Sequence, residues 1–305
     1  MELVPLGSSD LRISRVGLGC NNFGGRLDLA RTRAVVDAAL DAGVTFLDTA
    51  DIYGNRGDSE RFLGELLQSR RDRIVLATKV GNDMGTDGGV PRGSRAYVLG
   101  AVDASLARLR VDHVDLLYYH RPDGVTPLAE TIGALHEVVD AGKARWLGCS
   151  NLTAAQLEEA VAAARAGSSR LVALQNEYSL LERGAERDVL PRCVELGLGF
   201  VPYFPLASGL LTGKYRRGGP APAASRLEHR VESTDAAVWD RVEALEQFAA
   251  ARGRTLLELA IAALASRGGV SSVIVGATSP EQVRQNAAAG EWRLGAGELA
   301  ELDAL

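Results

Sequence analysis

Short apolar runs alternate with longer amphipathic stretches along most of the chain. The short runs are rich in β-branched and aromatic residues and too short for helices, which predicts strands. They cover residues 15–19, 44–49, 73–79, 114–120, 144–149, 171–175, 198–203 and 270–276. Helical periodicity is found between them, at residues 32–41, 60–68, 95–110, 128–141, 154–166 and 186–196. This alternation predicts parallel strands joined by helical crossovers.

Cap and turn residues mark several of the predicted boundaries. Gly43 and Gly142 follow helix ends, where a left-handed residue is needed. Thr153 is a typical helix N-cap, and Ser279 followed by Pro280 is typical of a helix start. In front of the first long strand, residues 3–6 and 11–14 flank a Gly-Ser-Ser-Asp turn, which predicts a small β-hairpin.

Two architectures fit eight strands with helical crossovers, an open doubly wound sheet and a closed barrel. An open dinucleotide-binding sheet should carry a Gly-x-Gly-x-x-Gly turn after an early strand. Here Gly17 and Gly19 end the first strand without a third glycine, and polar residues follow many different strands instead. The predicted fold is therefore α/β, a (β/α)₈ TIM barrel with an N-terminal β-hairpin, forming a single domain over residues 1–305.

Composition and net charge exclude several classes of binding partner. The formal net charge of −5 argues against a general nucleic-acid binder. No stretch reaches the ~18 apolar residues of a membrane span, and the N-terminus does not resemble a signal peptide. The three cysteines are odd in number and lack metal-site spacing, which favours a reducing compartment. We expect a cytoplasmic protein without nucleic-acid, membrane or metal partners, and the sequence leaves the oligomeric state open.

Four polar residues stand at or just past the carboxyl ends of predicted strands: Asp48, Tyr53, Lys79 and His120. In a barrel these ends converge on one mouth, so the four side chains can meet. Together they suit the reduction of a carbonyl, in which hydride addition leaves an oxyanion that must take a proton. Tyr53 would donate that proton, and a neighbouring ammonium at Lys79 would lower its pKa. Asp48 would pair with the buried lysine, and His120 would orient the carbonyl oxygen.

Several longer segments resemble the motifs of the aldo-keto reductase superfamily. They include FLDTADIYG at 46–54, ATKV at 77–80, DLLYYHRP at 115–122, AGKARWLGCSN at 141–151, LQNEYSLL at 174–181, YFPLASGLLTGKY at 203–215 and VGATSPEQ at 275–282. The resemblance runs in order from about residue 3 to about residue 290. It implies Tyr53 as general acid/base, Asp48 and Lys79 as the residues that tune it, and His120 as the carbonyl-orienting residue.

The same resemblance implies an extended NADP(H) lying across the barrel mouth. Amide and hydroxyl groups of Ser150, Asn151 and Gln175 would fix the carboxamide, and Tyr203 would stack on the nicotinamide. The remaining implied contacts run along the loop after residue 205 and the helix near Pro280: Leu206, Ser208, Gly209, Leu211, Lys214, Arg226, Gly276, Thr278, Gln282, Arg284, Gln285 and Asn286. Among these, Lys214, Arg226 and Arg284 would bind a 2′-phosphate, which favours NADP over NAD.

The function expected from this reading is NADPH-dependent reduction of a small aldehyde or ketone. Oxidation of an alcohol or sugar with NAD(P) remains an alternative, as does a cofactor-binding regulatory subunit like the channel-associated β-subunits of this fold. An aldolase using Lys79 as a Schiff-base nucleophile is disfavoured, because an aldolase has no use for the cofactor segments.

Two loops would shape substrate choice and kinetics. Asn21 and Asn22, beside an aromatic-lined pocket, favour a hydroxylated, sugar-like substrate. Residues 205–235 are too long for a routine connection and too poor in apolar residues to pack tightly. We expect this loop to be mobile without cofactor and ordered with it, and its reopening to limit turnover.

Overall fold

The computed structural model describes residues 1–85, 88–165, 171–223, 225–228 and 231–305. The chain begins with an antiparallel hairpin of β1 (Leu3–Pro5) and β2 (Arg12–Ser14), as predicted. Eight parallel strands follow: β3 (Val16–Gly19), β4 (Phe46–Asp48), β5 (Val75–Val80), β6 (Val114–Tyr119), β7 (Ala144–Ser150), β8 (Leu171–Gln175), β9 (Gly199–Phe200) and β10 (Val273–Gly276).

The eight strands form one curled sheet in the order β10-β3-β4-β5-β6-β7-β8-β9. A parallel bridge between Phe200 and Val270 joins β9 to the segment that leads into β10. The amide of Phe200 donates to the carbonyl of Gly269 at 2.9 Å, and the amide of Ser271 donates back to the carbonyl of Phe200 at 2.9 Å. These bonds join the two ends of the sheet, so the predicted barrel is confirmed.

Helices cover the outside of the barrel: α1 (Leu29–Asp41), α2 (Tyr53–Leu66), α3 (Arg95–Leu109), α4 (Leu128–Asp140), α5 (Ala154–Arg165), α6 (Val189–Leu196), α7 (Ala236–Ala250), α8 (Leu256–Ala265), α9 (Pro280–Ala289) and α10 (Ala296–Asp303). The predicted starts at Thr153 and Ser279 are confirmed, since the Ser279 hydroxyl accepts from the amide of Gln282 and the Thr153 hydroxyl from that of Gln156. Gly43 and Gly142 both have a φ of +74°, as expected after a helix.

The sequence pattern did not predict α7, α8 or α10. In α8 the reason is clear, because its residues are almost uniformly apolar and most of them are buried. A helix that is buried all round has no polar face, so the periodicity that reveals amphipathic helices is missing. Residue 166, the predicted end of α5, and residues 224, 229 and 230 of the long loop lie outside the described residues.

The core has an inner and an outer layer. Inside the ring, residues of the strands pack with Val4, Leu6 and Ile13 of the hairpin, which therefore closes the amino-terminal end of the barrel. A larger cluster fills the space between the strands and the helices. In the described part of the chain, no helix is both long enough and apolar enough to span a bilayer. With the amino end covered, the open mouth is at the carboxyl ends of the strands.

The long loop packs better than its composition suggested. It contains two short 3₁₀ segments, Ala207–Thr212 and Val231–Ser233. Leu211, Tyr215 and Val231 are all buried in the outer core. The expectation that the whole loop has too little apolar content to pack is therefore wrong for these anchors. Of the described residues between Tyr215 and Val231, Ala221 and Leu227 are partly buried against the same core.

Candidate active site

The four predicted catalytic residues meet at the barrel mouth. Asp48 is the last residue of β4, Lys79 lies near the end of β5, and His120 directly follows β6. The register places Asp48 beside Ala77 and Lys79 beside Tyr118. The polar residues at the ends of these neighbouring parallel strands therefore lie at the same height in the barrel. This is why residues far apart in sequence come together.

Lys79 is the centre of the cluster. Its ammonium donates to Oδ2 of Asp48 at 2.6 Å, to the carbonyl of Thr49 at 3.0 Å and to the hydroxyl of Tyr53 at 3.5 Å. The side chains of Lys79 and Asp48 are only 1% and 2% exposed. The rings of Tyr53 and His120 meet edge to face, with centroids 6.0 Å apart.

Burial and charge act in opposite directions on the two central groups. Burial lowers the pKa of Lys79, but the Asp48 carboxylate and the Tyr53 hydroxyl outweigh burial, so its pKa is raised. A lysine held as an ammonium is no Schiff-base nucleophile, which argues against the aldolase alternative. For Tyr53, burial raises the pKa and Lys79 lowers it, with a net rise. Lys79 therefore lowers the pKa of Tyr53 as expected, but burial outweighs this effect, and the phenol keeps its proton at neutral pH.

His120 is a neutral imidazole in a defined tautomer. Burial, together with the charges of Lys79 and Arg121, lowers its pKa to about 3. The side-chain amide nitrogen of Asn82 lies 3.0 Å from Nδ1 of the ring. Because that nitrogen can only donate, Nδ1 accepts and the ring proton is carried by Nε2. Sequence reasoning missed Asn82, which follows Lys79 by three residues and lies two residues past the end of β5.

A tight left-handed turn fixes the position of Tyr53 at the start of α2. Gly54, Asn55, Arg56 and Gly57 all have positive φ, between 53° and 118°. A side chain at Gly54 would place its Cβ 2.1 Å from the carbonyl oxygen of Phe23, so the turn requires glycine there. The side chain of Asn55 donates to the carbonyl of Gly24 at 2.9 Å and ties the turn to the loop after β3. Left-handed non-glycine residues carry strain and are found mostly at functional sites.

A cavity of about 990 Å³ opens at the mouth beside these residues. This volume is at the upper end of the range for small-molecule and cofactor pockets. Of the predicted residues, the cavity is lined by Asp48, Tyr53, His120, Ser150, Asn151, Gln175, Tyr203, Leu206, Ser208, Gly209, Lys214, Arg226, Gly276, Thr278, Gln282, Gln285 and Asn286. Lys79 lies directly behind the lining, bonded to Tyr53.

One end of the cavity carries a connected polar network. Asn151 donates to the carbonyl of His120 at 3.0 Å and accepts from the Tyr203 hydroxyl at 2.7 Å. Gln175 donates to Oδ1 of Asp48 at 3.1 Å, while its carbonyl accepts from the Ser150 hydroxyl at 2.7 Å. The residues predicted to hold the nicotinamide are thus bonded directly to Asp48 and to the backbone of His120.

The other end of the cavity is formed by the long loop, by β10 and by α9. Arg226 reaches the side chain of Asn22 at 3.5 Å, so the loop touches the segment after β3 across the cavity. Gln282 accepts from the amide of Thr278 at 2.8 Å, and Asn286 donates to the carbonyl of Gly276 at 3.5 Å.

Two predicted cofactor residues do not line the cavity. Leu211 is fully buried, and its amide donates to the carbonyl of Leu206. Arg284 points outward and pairs with Glu281 at 3.1 Å, one turn away on α9. Helix geometry explains this difference, because Arg284 is on the opposite side of α9 from Gln282 and Asn286.

Asn21 and Asn22 lie at the α9 end and not beside Tyr53. A Cβ built on Gly276 would lie 3.4 Å from the amide nitrogen of Asn22 and 3.5 Å from the amide oxygen of Asn21. Asn22 also donates to the carbonyl of Ala277 at 3.2 Å. The inference of a sugar-like substrate from this asparagine pair is therefore not supported, since the pair faces the strand end next to α9.

Sequence reasoning also missed several lining residues: Arg26, Arg121, Phe204, Thr255, Leu257 and Glu258. Thr255 and Glu258 form the capping box of α8, a local sequence signal that could have located this helix start. Nothing in the local sequence predicts that this start reaches the cavity.

Comparison with known proteins identifies the family to which the chain belongs. The family model described as Aldo/keto reductase family matches residues 15–305. A probable voltage-gated potassium channel subunit beta from Oryza sativa subsp. japonica is 38% identical over 299 residues, which cover 94% of this chain and 90% of that protein. A protein of the same description from Arabidopsis thaliana is 37% identical over equal shares. L-glyceraldehyde 3-phosphate reductase of Escherichia coli (strain K12) is 34% identical over 318 residues, covering 99% and 92%.

The barrel, with a cavity and a polar cluster at its carboxyl-terminal mouth, has the architecture of the class of barrel enzymes. The family match and these relatives place the chain within that class more narrowly. The chain belongs to the aldo/keto reductase family, whose members generally use nicotinamide cofactors.

Proposed function

We propose that this protein reduces aldehydes or ketones with NADPH and that Tyr53 is the general acid. The observation that carries the proposal is the buried chain of contacts from Asp48 through Lys79 to Tyr53, next to a neutral His120. A phenol that keeps its proton at neutral pH is able to donate it, and the ammonium 3.5 Å away stabilises the phenolate that remains.

Each of the other residues acts on a defined atom. Nε2 of His120 carries the ring proton and donates a hydrogen bond to the carbonyl oxygen, which directs that oxygen towards Tyr53. Asp48 keeps the charge of Lys79 compensated in a site that water does not reach. The bound nicotinamide supplies the hydride.

The cavity residues fit a dinucleotide. Ser150, Asn151 and Gln175 offer amide and hydroxyl groups near Asp48, and Tyr203 contributes an aromatic ring. Ala207, Ser208 and Gly209 have φ values of 45°, 57° and 102°, a strained run of the kind that occurs where backbone approaches a ligand. Lys214 and Arg226 supply cations for the phosphates.

The relatives support one alternative as well as the proposal itself. The relatives described as channel subunits favour a cofactor-binding subunit. The relative described as a reductase favours an enzyme acting on a small aldehyde. The complete set of Asp48, Tyr53, Lys79 and His120 supports the enzyme, in either direction of reaction.

The first prediction tests the proton donor. Replacing Tyr53 by Phe keeps the ring and removes only the hydroxyl. It should lower kcat for a small aldehyde by roughly a hundredfold or more, the range of general acid catalysis, while the Kd of NADPH stays nearly unchanged. Stopped-flow turnover and fluorescence titration measure the two quantities separately.

Tyr178→Phe is the matched control, because it also removes one hydroxyl but lies away from the cavity, bonded to Glu186. Its kcat should remain that of the unmodified protein. Full turnover by the Tyr53 variant would refute the role of Tyr53.

A further inference from the structure

More cationic side chains than carboxylates line the cavity. Its described lining includes four cationic side chains and two carboxylates, in a protein whose formal net charge is −5. Both carboxylates are already compensated, since Asp48 is bonded to Lys79 and Glu258 accepts from Arg254 at 3.0 Å. The cavity is therefore electropositive, although the protein as a whole is acidic.

Three of the four cations belong to the loop-and-helix end of the cavity. Arg226 contacts Asn22 beside Gly276, and the charge of Arg26 helps to lower the pKa of Arg226, after burial as the main cause. Lys214 lies on the same loop as Arg226, with its ammonium 5.1 Å from the ring of Tyr215. These three suit the phosphates of a dinucleotide.

Arg121, the fourth cation, is at the opposite end. It directly follows His120, and its charge acts on both His120 and Tyr203. Its position is therefore beside the groups proposed to handle the carbonyl and not beside those proposed to hold phosphates.

In the described part of the chain, Arg121 has no carboxylate partner. Its side chain is exposed, and none of the ion pairs found within 4 Å in the described residues involves it. The nearest carboxylate in sequence, Asp123, accepts from the amides of Gly93, Val125 and Thr126 at 2.8–3.0 Å, and these bonds outweigh burial to lower its pKa to about 2. Arg31, Arg73 and Arg110 are likewise exposed and in no ion pair of the described residues, but only Arg121 of these four lines the cavity.

We propose that the substrate is a carbonyl compound that also carries an anionic group, a carboxylate or a phosphate, and that Arg121 binds this group. The proposal rests on the reductase function, because it assigns the charge of the substrate of that same site. A guanidinium presents parallel N–H donors to two oxygens of one anion, which fixes orientation as well as adding affinity. When Arg121 binds the anionic group of the substrate, the length of the substrate sets the distance of its carbonyl group from Tyr53 and His120.

The test compares carbonyl compounds that carry an anionic group with close neutral analogues. Succinate semialdehyde is matched with its methyl ester, and glyceraldehyde 3-phosphate with glyceraldehyde, so the two pairs separate carboxylate from phosphate. The unmodified protein should show a kcat/KM at least tenfold higher for the anion in one pair. In Arg121→Met that preference should fall by roughly tenfold to a hundredfold, mainly through KM, as expected for loss of one charge-assisted contact.

Arg95→Met provides the matched control, because it removes the same charge from an exposed position outside the cavity lining. It should leave the preference unchanged, and Arg121→Lys should retain part of it. Equal kcat/KM within both pairs, or an equal loss for anionic and neutral compounds in Arg121→Met, would overturn the proposal while leaving the reductase intact.

Absence of turnover with every carbonyl would instead overturn the proposed function. Arg121 is then tested by calorimetric binding to the NADPH-loaded protein, comparing glycerol 3-phosphate with glycerol and succinate with its dimethyl ester. Binding of an anion that weakens in Arg121→Met supports the anion site, and binding that does not weaken contradicts it.

Discussion

At the scale of single residues, Asp51 stands out as a buried carboxyl that the proposed chemistry does not use. It is fully buried two residues before Tyr53, and its amide donates to the carbonyl of Lys79 at 3.0 Å. Burial, followed by the nearby carboxylate of Glu60, raises the pKa of Asp51 to about 8. Asp51 is therefore protonated in the folded protein at neutral pH.

This shift predicts a pH dependence of stability with a definite sign. Between about pH 4 and pH 8 the folded protein keeps the proton of Asp51 while the unfolded chain has lost it. The folded state therefore loses stability as pH rises through this window, by up to about 1.4 kcal/mol per pH unit, and the loss levels off above pH 8. Asp51→Asn removes the titration, so its free energy of unfolding should gain on that of the unmodified protein from pH 5 to pH 8.

Urea denaturation at pH 5, 6, 7, 8 and 9 measures this difference. Asp10→Asn, at an exposed position of the hairpin turn, is the control and should give a difference that does not vary with pH. A difference for Asp51→Asn that is equally flat would mean that Asp51 ionises in the folded protein as it does in the unfolded chain.

A second prediction at this scale concerns cofactor choice. If Arg226 binds a 2′-phosphate, Arg226→Met should weaken NADPH binding by roughly tenfold to a hundredfold and leave NADH nearly unaffected. Arg284 provides the control, because it pairs with Glu281 and does not line the cavity. Arg284→Met should bind both cofactors normally. Equal affinity of the unmodified protein for NADPH and NADH would end the idea of a 2′-phosphate site.

At the scale of elements, the described residues between Tyr215 and Val231, which are 216–223 and 225–228, are the part of the long loop that we expect to move. Both anchors are buried, whereas residues 216–218, 222 and 223 are exposed. Amides of the non-proline residues in 216–223 and 225–228 should exchange rapidly without cofactor and become protected when NADPH is added, because the phosphates give Arg226 an anionic partner.

Hydrogen exchange followed by mass spectrometry measures this change, with the buried helix α8 as an internal reference that stays protected in both states. Strong protection of the segment in the empty protein, or none added by NADPH, would identify it as rigid. In that case the slow step of turnover would have to be sought elsewhere.

Local sequence signals predicted elements well where one face of the element is polar. The caps at Thr153 and Ser279 and the glycines after α1 and α4 were found at the expected positions. Signals failed for α8, where burial on all sides removes periodicity. They also failed at α2, which begins at Tyr53 through a left-handed turn that only its contacts with Phe23 and Gly24 explain.

At the scale of the whole molecule, the barrel brings together residues that are far apart in the sequence. Asp48, Lys79 and His120 end three neighbouring strands, so the parallel register by itself brings them to one mouth. The hairpin closes the opposite end, with Val4 and Ile13 packed inside the ring, and leaves the carboxyl-terminal mouth as the entrance.

The sequence by itself determined the alternation of strands and helices, because this follows from local periodicity. It also determined the barrel and the residues that end each strand, because parallel crossovers have a fixed geometry. Tertiary structure decided which charges are compensated. Asp123 accepts hydrogen bonds from the amides of Gly93, Val125 and Thr126, and Arg121 is in no ion pair of the described residues. It also decided the protonation of Tyr53 and His120. Burial and the distance between charges set those pKa values, and neither quantity is encoded in local sequence.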